Sequence, residues 1–122
     1  MTDVPAALPL RALRELLDDD DDALQDVLAR FLESLADARV GVSTAMQVRD
    51  IGALAFHAHR FKSAAGQIEA MECYRLCSLV HDLTRREAPA VHLEAEVLVR
   101  QLLAALDQLE LDITYTMVSL TA

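Results

Sequence analysis

The sequence predicts an all-α protein, an antiparallel four-helix bundle with a short additional N-terminal helix. Three observations lead there. Leu and Ala dominate a chain that is 53% hydrophobic but only 4% aromatic, with no Trp. A sheet would draw more heavily on Val, Ile, Thr and aromatic residues. Only 3 Gly and 3 Pro interrupt the 122 residues, so long elements are expected rather than many short ones. Finally, four segments repeat apolar residues at spacings of three and four, the pattern of a helix with one buried face. Such faces, joined by short connections, are hidden by packing against one another. A chain of this length is expected to form a single domain over residues 1–122, irregular over 1–9, with one modest core.

Taken in order, Pro5 and Pro9 bracket the irregular start, and Leu10, Leu13, Leu16 and Leu17 suggest a short helical piece. Residues 18–22 are all Asp. Five consecutive acids cannot converge on one ion from a helix, so the run is expected to cap the next helix rather than hold a metal. That helix is predicted over residues 23–48, from the stripe Leu24, Leu28, Phe31, Leu35, Ala38, Val42 and Ala45. The stripe passes Gly41 without losing phase, at a cost of about 1 kcal/mol relative to Ala. Asp50 suits an N-cap, and Ile51, Leu54, Ala58, Phe61, Ala65 and Ile68 form the next stripe. A third helix is predicted over 71–86, burying Leu76, Leu79 or Val80, and Leu83. Arg85 and Arg86 complement its negative end, and Pro89 prevents continuation. The last, over 90–118, repeats Val91, Ala95, Leu98, Leu102, Ala105 and Leu109.

The net charge of −9 disfavours nucleic acid as a partner. No apolar run approaches the roughly 18–20 residues needed to span a bilayer, and Met1-Thr2-Asp3 lacks the basic flank of a signal peptide. Cys73 and Cys77 are the only cysteines, too few for a disulfide-stapled secreted scaffold. A soluble, reduced, cytoplasmic monomer without a membrane partner is the expected setting.

The chemistry concentrates in the stretch 55–66, Ala-Phe-His-Ala-His-Arg-Phe-Lys-Ser-Ala-Ala-Gly. With Ala58 and Phe61 facing the core, His59, Lys62, Ser63 and Gly66 share one flank at i, i+3, i+4 and i+7. A neutral imidazole is a usable nucleophile near neutral pH. Phosphorylation would add roughly two negative charges, which an ammonium one turn away can offset. Small residues at Ser63 and Gly66 leave a flat approach for a partner, and nothing nearby supplies a phosphate-binding loop for ATP. The flank reads as a carrier surface whose catalytic machinery comes from the partner.

The run Ala58-His59-x-x-Lys62-Ser63-Ala64-Ala65-Gly66, followed by Ile68 and Ala70, resembles the signature of histidine-containing phosphotransfer domains. The similarity covers most of the chain: residues 28–34 resemble the family's second helix, Arg49-Asp50 its turn before the histidine helix, and Leu76-Cys77 the helix after it. The resemblance implies a phosphorelay intermediate, not an enzyme in the usual sense, that accepts a phosphoryl group from an aspartate on one receiver domain and passes it to another. Mg²⁺ would be held by the receiver, and no cofactor by this chain. His59 matches the phosphorylated position and Lys62 the lysine that steadies the phosphate. Some members hydrogen-bond the second ring nitrogen from the next helix, and an ungapped count places His81 there, in place of the more familiar Gln. Two positions depart from the pattern: Ser63 stands where the family usually has Gly after the lysine, and Glu69 where it usually has Gly near the helix end.

Around this core, Arg60, Ser63, Gly66 and Gln67 are candidate partner-docking residues, on a face formed by the helices over 23–48 and 51–68. His57 lies about 200° around the helix from His59, so it cannot share a metal with it and is expected to be structural. Beside a helical dimer serving only as a scaffold, two alternatives remain at this point. One is a degenerate module that docks to receivers without carrying phosphate. The other is a metal- or redox-responsive bundle using Cys73, Cys77 and His81, although reduced cysteines more often pack as small hydrophobes.

Overall fold

The computed structural model describes residues 4–85 and 90–121, and among them the only regular elements are helices. They are α1 (Arg11–Leu16), α2 (Asp21–Gln47), α3 (Ile51–Gln67), α4 (Met71–Asp82) and α5 (Ala90–Leu120). The helix expected over 71–86 is shorter than that: α4 ends at Asp82 and tightens into a 3₁₀ turn over Leu83–Arg85. Arg86 and Pro89, read above as its end, lie outside the described residues, as do Met1, Thr2 and Asp3.

Local chemistry sets the helix ends. The Asp20 carboxylate accepts the N–H groups of Asp22 at 3.0 Å and Ala23 at 3.2 Å, while Asp21 and Asp22 occupy the first turn of α2, where the dipole favours negative charge. Asp50 does the same for α3, accepting the Ala53 N–H at 2.9 Å. The α2–α3 and α3–α4 corners share one construction. Arg49 and Glu69 take left-handed φ values of 56° and 59°. The next N–H then closes back across the helix end, Asp50 to Ala45 O at 2.9 Å and Ala70 to Ala65 O at 2.8 Å. This is the Schellman closure, whose left-handed position favours Gly, which accounts physically for the glycine that Glu69 replaces. Glu69 also accepts the Arg11 N–H at 3.3 Å, tying the start of α1 to this corner.

The four long helices close into a ring of neighbours, α2 against α3 and α5, and α4 against α3 and α5. Side-chain links show α2 and α5 running antiparallel. Gln25 Nε2 donates to the Met117 carbonyl at 2.6 Å, Arg39 reaches Asp107 at 3.1 Å and Glu110 at 2.9 Å, and Arg49 reaches Glu96 at 3.3 Å. Residues 4–10 lie along α5, with the Ala6 N–H on Asp112 and the Leu8 N–H on the Thr116 hydroxyl. Leu10 and Leu13 are buried, but Leu16 is exposed.

The α2 stripe is buried at every expected position, as are Leu54, Ala58, Phe61, Ala65 and Ile68, with Ile51 half-buried. On α4 the buried residue is Val80 and not Leu79, beside Cys73, Leu76 and Cys77. The α5 stripe differs from expectation. Its core line is Ala95, Val99, Leu102, Leu106, Leu109, Ile113 and Thr116, while Val91, Leu98 and Ala105 are half-buried at its edge. Apolar residues lie on many sides of α5, so spacing alone does not mark which line faces the bundle.

Gly41 is explained by a cross-helix contact. A Cβ there would stand 2.5 Å from Cγ and 2.6 Å from Cε1 of His57, so the missing side chain lets the His57 ring of α3 lie against α2. His57 is thus a packing residue. Burial holds the Cys73 thiol up at about 12, aided by the neighbouring Cys77, and pushes Cys77 up to about 11 against the lowering effect of the Lys62 ammonium. Both thiols are neutral core groups. Among the described residues no three His, Cys, Asp or Glu side chains are grouped to hold a metal ion.

Gly41→Ala should lower stability by about 1–3 kcal/mol in urea unfolding, because overpacking against His57 outweighs the helix-propensity gain. Adding His57→Ala should recover most of the loss; a Gly41→Ala protein as stable as wild type would contradict the close approach. A thiol-specific disulfide reagent at pH 8 should leave both cysteines unmodified in the native protein and modify both in urea. Rapid reaction of native thiols would show that they are not core groups.

Candidate functional site

On α3, Ala58 is buried and His59, the next residue, is exposed. The step of about 100° places His59 at the border between core and solvent. The border on that side is made with α4. The His59 and His81 rings lie with centroids 4.7 Å apart and planes tilted by 34°. Two turns on, Gly66 meets Tyr74, whose Cδ2 would lie 3.4 Å from a Cβ on Gly66. Between these pairs, the Lys62 ammonium stands 5.1 Å from the centroid of the Tyr74 ring. Residue numbers rise along α3 as they fall along α4, so the helices are antiparallel, with His59 and Gly66 opposite His81 and Tyr74.

The His59–His81 approach is that of a tilted stack rather than an in-plane N–H···N bond. The ungapped count therefore put His81 beside His59, but the contact is through ring faces. A stack of this kind restrains the plane of the exposed imidazole.

The other candidate residues distribute around α3. Ser63 and Gln67 are exposed, and Arg60 is exposed toward the α2 side. There Arg60 lines a cleft of about 140 Å³ with Ser34, Asp37, His57 and Ala64. Gln67 borders a shallower cleft of about 220 Å³ with Arg30 and Ser34. His59, Lys62 and Gly66 thus lie toward α4, Arg60 and Gln67 toward α2, and Ser63 between. The expected face of α2 and α3 is incomplete without α4. Gly66 is half-buried against Tyr74 rather than open surface.

Two residues beside the site escaped the sequence reading. Tyr74 contacts both Lys62 and Gly66. Phe56, one turn before His59, is 59% exposed. In a chain with 3 Phe and 2 Tyr, an aromatic residue off the core stripe was the available signal.

The family description Hpt domain matches residues 26–111, from the first turns of α2 well into α5, which includes His59, Lys62, Tyr74 and His81. Searches of curated proteins and of solved structures return no match. Among the described residues no helix is long and apolar enough to cross a membrane. A match over well more than half of an all-helical chain, centred on the helix with the exposed histidine, shows that this protein belongs to the Hpt domain family of phosphocarrier modules in two-component phosphorelays.

Proposed function

We propose that this chain carries a phosphoryl group on His59 between aspartates of receiver domains. One observation supports His59 over the other histidines. Of the chain's 4 histidines, His59 alone is exposed. His57 packs on Gly41, His81 lies behind His59, and His92 is half-buried with an unpartnered Nδ1.

In the forward step a neutral imidazole nitrogen of His59 attacks the phosphorus of an aspartyl phosphate. The N–P bond forms as the acyl O–P bond breaks, and the receiver carboxylate leaves with the electron pair. The other ring nitrogen keeps its proton, so the product is a phosphoimidazolium. A second receiver's aspartate reverses this: its oxygen attacks phosphorus, and the N–P pair returns to a neutral imidazole. No further reactant is consumed. Mg²⁺ is expected on the receiver, where it screens the phosphoryl oxygens. The Lys62 ammonium offsets charge on the bound group, and the His81 stack holds the ring plane.

The docking-only reading differs in a single outcome. Phosphorylated receiver domains from the same organism should transfer label to wild type as an acid-labile, alkali-stable product, and His59→Gln should carry none. His81→Ala should slow transfer by about 2–10-fold, the equivalent of the ~0.5–1.5 kcal/mol that an aromatic pair supplies. If no donor in a full panel labels correctly folded wild type, the carrier function fails and docking alone remains.

A further inference from the structure

We propose that Tyr74 is a resting dock for the Lys62 ammonium, which leaves it when His59 is phosphorylated, so that Tyr74 limits the lifetime of the phosphohistidine. This rests on His59 being the phosphorylated residue, and it adds a positioning residue on a different helix.

Three features place Lys62 in that role. Long side chains on a helix lean toward its N-terminus, which for Lys62 is the direction of His59. The ammonium instead stands 5.1 Å from the Tyr74 centroid, and Tyr74 meets α3 at Gly66. Lys62 lies between His59 and Gly66, about one turn from each, so its ammonium can serve either the Tyr74 ring or a group on His59. The same charge reaches Cys77, one turn along α4 from Tyr74, where it acts to lower the thiol. Finally, Gly66 has no Cβ, and a Cβ there would touch Cδ2 and Cε2 of Tyr74 at 3.4 and 3.5 Å, so the ring is seated on α3 with a face available to Lys62.

The two possible partners of Lys62 differ in strength. A cation over a partly exposed ring is favoured by about 2–5-fold. A charge-assisted bond to a phosphoryl oxygen is favoured by about tenfold or more. Phosphorylation therefore moves Lys62 off the ring, and the ring competes for it throughout the life of the phosphohistidine.

Phosphoramidate tests this without a receiver: its P–N bond breaks as the imidazole N–P bond forms, releasing ammonia. Decay of the His59 phosphoramidate, assigned by its absence in His59→Gln, can be followed by ³¹P NMR in wild type, Tyr74→Phe and Tyr74→Leu. Each is compared with the same protein carrying Lys62→Met, after circular dichroism confirms the fold. Tyr74→Phe should match wild type, and Tyr74→Leu should lengthen the lifetime by about 2–5-fold, with no difference in the Lys62→Met background. The Lys62 ε-methylene protons should be shifted upfield by the ring before phosphorylation and lose that shift after it. An unchanged lifetime in Tyr74→Leu, an equal change without Lys62, or a methylene shift that survives phosphorylation overturns the proposal. Any of these leaves receiver-dependent labelling intact, whereas failure of every receiver to label His59 removes the relay function while the chemical phosphohistidine still reports on Tyr74.

Discussion

An α-helix that buries Leu54, Ala58, Phe61 and Ala65 on one side can keep a neighbouring residue wet only at the edge of that stripe, about 100° away per residue. His59 occupies that edge, so its environment is whatever helix packs alongside. The antiparallel contact with α4 therefore governs the site. The Schellman corner at Glu69 and Ala70 sets where the chain turns, and with it the register that puts His81 opposite His59 and Tyr74 opposite Gly66. A slip of one helical turn would move the imidazole stack onto Lys62 and leave His59 without a neighbour.

The same helix is held on its two flanks by the same device. On one side the His57 ring of α3 lies where Gly41 of α2 has no side chain; on the other, the Tyr74 ring of α4 lies over Gly66 of α3. Glycine inside a helix is unfavourable in isolation. At Gly41 the missing side chain admits a ring that even an Ala Cβ would meet at 2.5 Å, whereas a Cβ at Gly66 would make ordinary contact with Tyr74 at 3.4 Å. The rotation of α3, which decides whether His59 points to solvent or into the bundle, is set by the burial of Leu54, Ala58, Phe61 and Ala65, with His57 seated on Gly41.

Much of this was legible in the sequence, for physical reasons that also mark where legibility stopped. The α2 stripe and the caps at Asp20 and Asp50 follow from local spacing and local hydrogen bonding, and both were readable. The end of α4 was not, because the change to a 3₁₀ turn at Leu83–Arg85 involves no Gly or Pro within it. The α5 core line was misplaced by its edge residues, since Leu, Val and Ala lie on nearly every side of that helix. Within the site, the shared flank of His59 and Lys62 is a property of one helix and was visible. The contact of Tyr74 with Lys62 is a property of two helices in register, which spacing along either one does not reveal. For the same reason Gly66 read as open space for a partner when its neighbour was a ring of the same chain.

Charge gives the site its orientation toward a partner. The chain as a whole is strongly acidic, with a net charge of −9, so an aspartate-bearing partner is repelled by most of its surface. Arg60 and Lys62 interrupt that field on either side of Ser63, and Arg30 lies further along the α2 side; Asp37, in the cleft with Arg60, offsets part of it. These cations relieve the opposition to an acidic partner at the face that presents His59. On the proposed function, a phosphoryl group on His59 would bring roughly two negative charges, which Lys62 and the part of Arg60's charge that Asp37 leaves would offset.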